Sequence, residues 1–120
     1  MLEHIERDLI SEIHLEPIQA KVYLLINTRG MMSVSEIAEN VGIEMAEAQK
    51  AAADLVEKGA LIDITEKFEA MHPRFTAVNM YRRMCEQKNI KFKQNKTVDN
   101  IGVVLEPLYD DARTGSSKSG

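Results

Sequence analysis

The stretch SVSEIAENVGIEMAEAQKAAADLVEKGALIDI, Ser33 to Ile64, leaves this chain few ways to fold. Ser33 and Glu36 stand in S-x-x-E spacing, the capping box in which two side chains satisfy orphan N–H groups at a helix start. That helix has room to run only to Gly42. After a short turn, a second helix carries Met45, Ala48, Ala52, Leu55 and Val56 on one face, which assigns Met45 to packing beneath it. Gly59 supplies the left-handed exit that commonly ends a helix, and Ala60 to Thr65 follows as a strand built on Leu61, Ile62 and Ile64. Two short helices on a tight turn bury their apolar faces only against more helix, so the flanks must supply it.

The upstream flank does so. Leu2, Ile5, Leu9 and Ile13 repeat at helical spacing. A second helix starts behind Glu16-Pro17, buries Ile18, Val22, Leu25 and Ile26, and closes at Arg29-Gly30. Downstream, Arg74 to Val78 reads as a second strand across a loop of about eight residues containing His72-Pro73, a hairpin with a long tip. VNMYRRMCEQKN is helical, with Val78, Tyr81 and Cys85 on one face, whereas IKFKQNK suits either an extended piece or more helix. Thr97 can cap a last helix in which Val98, Ile101, Leu105 and Leu108 recur at near-heptad spacing, against the weakening effect of Gly102 and Pro107. The expected fold is mainly α with a small β-hairpin wing, a winged helix-turn-helix. Residues 1–80 would form that domain, 81–112 a helical extension, and 113–120 a disordered, linker-like tail.

With 120 residues, 44% hydrophobic and 28% charged, the chain has the material for one core. No run is long and apolar enough to span a membrane, and the N-terminus lacks the features of a signal peptide, so a cytoplasmic protein is expected. The single cysteine, Cys85, excludes an internal disulfide and any cysteine-rich zinc cluster. Its spacing from Val78 and Tyr81 reads as a small buried hydrophobe; nearby Arg82, Arg83 and Lys88 would favour a reactive thiolate in the redox-sensing alternative. His4, His14 and His72 are scattered without metal-ligand spacing, no phosphate-loop, dinucleotide or hydrolase motif is present, and neither an enzyme nor a cofactor is expected.

The formal charge of −4 hides a segregation. Residues 1–73 carry 6 basic and 14 acidic side chains, 74–96 carry 7 and 1, and 97–120 carry 2 and 4. One stretch can meet phosphate and the rest is repelled by it.

The pieces LEPIQAKVYLLI, SVSEIAENVGI, LVEKGALIDI and RFTAVN together resemble the N-terminal winged-helix domain of the TrmB-like, mostly archaeal, transcriptional regulators, over roughly Ile13 to Asn79. MarR-like regulators share the layout. The resemblance implies sequence-dependent binding of double-stranded DNA by a homodimer, with the Met45 to Lys58 helix in the major groove, the wing near the backbone and a C-terminal helix pairing two subunits. Larger members add a sugar-binding domain after the DNA-binding part, which this chain is expected to end too early to carry. On that reading Glu47, Gln49 and Lys50 face base edges, and Ser33 and Ser35 meet phosphate at a helix N-terminus. Lys67, Arg74, Arg82 and Arg83 grip the backbone, and Val98, Ile101, Leu105 and Leu108 form the dimerisation seam.

The chain departs from the family where DNA is read: Ile43, Glu44, Met45, Ala46 and Glu47 stand where relatives carry proline and then small, polar or basic residues. With Ala48 and Leu55 inward, Glu47, Lys50 and Asp54 form a net-negative outward stripe. Glu44 and Glu47 have an intrahelical explanation, since carboxylates in a first turn complement the helix dipole. The rival expectation is a winged helix that has lost DNA reading and docks a basic protein partner.

Overall fold

The computed structural model describes residues 2–114. Six helices and three short strands follow one another in the order α1 (Glu3–Ile13), α2 (Pro17–Arg29), β1 (Met32–Ser33), α3 (Val34–Val41), α4 (Met45–Glu57), β2 (Leu61–Ile64), β3 (Lys67–Ala70), α5 (Pro73–Gln87) and α6 (Lys96–Thr114). This is the expected mainly α winged-helix architecture. No helix of the described residues is long and apolar enough to cross a membrane.

The local signals explain most boundaries. The Ser33–Glu36 capping box is formed, Glu36 N–H donating to Ser33 Oγ at 3.2 Å and Ser33 N–H to Glu36 Oε1 at 2.9 Å. The bond from Ser33 N–H, with a smaller contribution from the Ser33 side chain, holds the Glu36 carboxyl below the usual carboxylate range. Gly42 ends α3 at φ 81° and Gly59 follows α4 at φ 84°, a left-handed conformation that only glycine adopts without strain.

The core gathers around α2. Ile5, Leu9 and Ile13 of α1 bury as their spacing predicts, and Ala48, Leu55, Ile101 and Leu105 close on it from α4 and α6. Because helices α1, α4 and α6 and strand β3 all pack on α2, its burial extends around the helix: of the expected stripe Val22 and Ile26 are inside and Ile18 and Leu25 only partly buried, while Tyr23, Leu24 and even Gln19 and Asn27 are inside. Cys85 is buried too, in the position of a small hydrophobe.

Two expectations fail in the wing. The second strand is not Arg74–Val78 but Lys67–Ala70, paired antiparallel with β2 in the register Ile64↔Lys67 and Leu61↔Ala70. The tip is therefore a tight turn at Thr65-Glu66, both residues at positive φ, instead of a long loop. Phe68 and Ala70 bury alternately on β3, while Arg74–Val78 lies in α5, where Pro73 opens the helix and His72 Nδ1 accepts from Arg74 N–H at 3.2 Å. Strand β1 adds a third, unanticipated partner on the far edge of β3.

The C-terminal half is also integral. Helix α5 runs through residue 80, where the domain boundary was expected, and α6 packs on α1, α2 and α5. Asn95, not Thr97, caps α6, its Oδ1 accepting from Thr97 and Val98 N–H at 3.0 and 3.1 Å. Gly102 marks a close crossing, since a Cβ there would stand 2.8 Å from Arg74 Cα. Arg113, assigned in advance to the tail, lies in α6 and ties its end to α2 and the wing, donating to Ile26 O, Asn27 O and Glu69 Oε1 at 2.9, 2.8 and 2.6 Å. The remainder of that tail, 115–120, lies outside the described residues.

Candidate nucleic-acid interface

The α3–turn–α4 unit presents one continuous solvent face. Ala48, Ala51, Ala52 and Leu55 point inward, and Ala46, Gln49, Lys50, Ala53 and Glu57 are exposed. The small Ala46 and Ala53 leave room for a surface to approach the helix closely. Met45, expected to pack beneath α4, is 54% exposed instead: it precedes the first inward turn, with Ala48 filling the contact.

The acidic entry to α4 has an intrahelical role. Glu44 is the N-cap and forms a reciprocal capping box with Glu47, whose Oε1 accepts from Glu44 N–H at 3.3 Å. Asp54 also leaves the expected outward stripe. It leans on α2, where Asp54 Oδ2 accepts from Gln19 Nε2 at 3.2 Å and from Lys50 Nζ at 3.0 Å. The bond to Asp54, reinforced by its charge, pushes the Lys50 ammonium above its ordinary pKa. Lys50 thus faces out but is partly neutralised. Gln49 is exposed and its side chain makes no hydrogen bond among the described residues, which leaves it the least encumbered candidate reader.

The other predicted contacts divide into two groups. Ser33, Ser35 and Lys67 come together: Ser33 is the register partner of Lys67 across β1 and β3, and its Oγ lies 3.3 Å from Ser35 Oγ. They sit where the wing meets the N-terminus of α3. The arginines do not join them. Arg74, expected in the wing, begins α5 and pairs with Glu106 of α6 at 3.1 Å. Arg82 bonds Asn79 Oδ1 at 3.2 Å and lies over the Phe92 ring at 5.0 Å. Arg83 donates to the Glu57 carbonyl oxygen and packs beside Gly59, capping the C-terminus of α4 where a cation complements the helix dipole.

Val98, Ile101 and Leu105, expected to form a seam between subunits, are buried in the protomer's own core; only Leu108 of that set retains partial exposure. A heptad pattern records an apolar face but not its partner, and α1, α2 and α5 fill that role here. Sequence reasoning passed over Arg29, read only as a helix end. Its guanidinium is exposed at the foot of α2 and donates to Asn40 Oδ1 of α3 at 3.1 Å, a cation beside the helix-turn-helix. Ile62 and Ile64, read as strand formers, are exposed along β2.

Comparison with curated proteins and with solved structures returned no match. The family model described as the sugar-specific transcriptional regulator TrmB matches residues 10–81, more than half of the chain, from the second half of α1 through the helix-turn-helix and wing into α5. The chain belongs to this TrmB family of transcriptional regulators, which carry a winged-helix DNA-binding domain.

Proposed function

We propose that the protein is a dimeric transcriptional regulator that binds double-stranded DNA in a sequence-dependent manner. The observation that carries this reading is the coincidence of the family match with an α4 face built of Ala46, Gln49, Lys50 and Ala53, open to solvent and small enough to enter a major groove. Gln49 pairs with adenine, and Glu47 accepts from cytosine N4 where its capping bond permits. Ser35, Lys67 and Arg29 supply phosphate contacts around α3.

Dimerisation uses the outer face of α5 and α6. Between these helices lies an apolar hollow of about 250 Å³ walled by Val78, Tyr81, Phe92 and Val98. Phe75, 70% exposed, stands one turn before Val78, and Val103, 51% exposed, one turn after Asp99 at the hollow's edge. Outside the Arg74–Glu106 pair of the protomer, Arg82 lies on α5 and Asp99, Asp110 and Asp111 on α6, so a twofold axis that sets α5 against the partner's α6 matches opposite charges.

The test is a salt titration of binding to mixed genomic DNA fragments, followed by selection of bound sequences from a random pool. Affinity falling with salt on a slope of several phosphates, with a consensus in the selected pool, supports the regulator. The partial neutralisation of Lys50 by Asp54 and the engagement of Arg74 by Glu106 favour one rival, an acidic face that docks a basic protein partner. Absence of DNA binding at low salt, where phosphate contacts are strongest, decides for that rival.

A further inference from the structure

At the C-terminal end of α4 lies a cleft of about 640 Å³, within the size range of small-ligand sites. Its lining carries both charges. Glu16 before α2 and Asp54 and Glu57 of α4 supply carboxylates; Lys58 at the end of α4 and Arg83 and Lys88 at the end of α5 supply cations, Arg83 also donating to the Glu57 carbonyl oxygen. Ile13, Met80 and Met84 are the apolar floor. A purely anionic ligand meets the carboxylates and a purely cationic one the cations, so a small molecule bearing both charges fits where neither half does.

Asp54 links this cleft to the reading face. Both of its hydrogen bonds, from Gln19 and from Lys50, fall on Oδ2, and Oδ1 accepts none among the described residues. An ammonium group arriving at Oδ1 shares the carboxylate charge and loosens its hold on Lys50, one helical turn away on the exposed face of α4. We propose that the cleft is an effector site for a free amino acid or similar compact zwitterion. The ammonium lies against Asp54 and Glu57 and the carboxylate against Arg83 and Lys88, and occupancy releases Lys50 for phosphate. The release of Lys50 to DNA rests on the function proposed above; binding in the cleft does not.

The test is a titration of the full chain, followed by amide resonances in two-dimensional NMR, with free amino acids in turn and with acetate and methylammonium as separate half-ligands. The expected result is saturable movement of resonances around Glu16, Asp54–Lys58 and Arg83–Lys88 with at least one amino acid, little movement with either half-ligand, and loss of the response in Glu57→Gln and in Lys88→Glu. In DNA titrations the bound amino acid steepens the slope of log affinity against log salt by about 0.9 per protomer, one added phosphate contact, and Asp54→Ala does so without ligand. No amino acid moving those resonances, acetate alone reproducing the shifts, or indifference to both variants overturns the site. Binding with an unchanged salt slope overturns the coupling to Lys50. Failure of the free protein to bind DNA while the resonances still move counts against the regulator reading alone.

Discussion

Tyr23 is fully buried, its hydroxyl 2.8 Å from Thr76 Oγ1 and 3.5 Å from Asn27 Nδ2. Burial pushes its pKa up to about 12 from an ordinary value of 10.0, against the smaller opposing effect of the two hydrogen bonds. Between those values the unfolded chain has lost a proton that the folded protein keeps. Stability from this group is therefore complete below pH 10 and lost as pH rises through about 12, by roughly 2 to 3 kcal/mol. Alkaline denaturation monitored by circular dichroism should show that loss, and Tyr23→Phe should flatten it. At neutral pH the same variant should be less stable by about 1 kcal/mol, because Thr76 and Asn27 lose a partner. The spacing of α2 marks Tyr23 only as a helix residue beside the stripe; its burial depends on what packs on both sides.

Among the elements, α6 and the wing separate most clearly what local sequence encodes. Gly102 and Pro107 read as weaknesses of α6, yet the glycine is where α5 crosses: a Cβ would stand 3.2 Å from Pro73 O as well as 2.8 Å from Arg74 Cα. Gly102→Ala should therefore destabilise by about 1 to 3 kcal/mol despite its better helix propensity, measurable as a lowered denaturation midpoint. The wing turn offers the reverse case. Thr65 and Glu66 sit at φ 43° and 67°, a conformation costly for a β-branched residue, and nothing in T-E announces the tight turn that asparagine-glycine would. Replacing the pair with Asn-Gly should stabilise the fold by about 1 kcal/mol, read as a raised thermal midpoint. Without that signal the sequence points farther along for the partner strand, to Arg74–Val78, whose residues form α5 behind Pro73.

At the scale of the whole molecule, charge is segregated and large apolar side chains such as Phe75 and Val103 stay exposed. The acidic residues of α3 and α4 and the cations of α5 and the loop after it lie at different places, bridged at the C-terminus of α4 by Arg83. This bridge makes reversal of Arg83 a poor probe of DNA binding, since it also uncaps α4; reversing Arg82 alone is the cleaner variant. If the outer face of α5 and α6 joins two copies, Phe75→Asp with Val103→Asp should give a folded monomer in analytical ultracentrifugation, both side chains being largely exposed in the protomer. DNA affinity should fall with it, because two half-sites are no longer engaged together. A native protein that sediments as a monomer contradicts the dimer.

The sequence by itself determined the helix order, the caps at Ser33 and Glu36, the glycine exits at Gly42 and Gly59, the inward face of α1 and the Ala48, Ala52 and Leu55 part of that of α4, because hydrogen-bond closure and 3.6-residue periodicity act over a few neighbouring residues. Only the tertiary structure decided where the charged side chains of that framework point. Arg74, Arg83, Asp54 and Arg113 find partners 26 to 87 positions away in the chain, and a long side chain takes the nearest carbonyl, carboxylate or amide that packing brings within reach. The same holds for Val98, Ile101 and Leu105: their periodicity fixed an apolar face, and the packing of α1, α2 and α5 turned it into core.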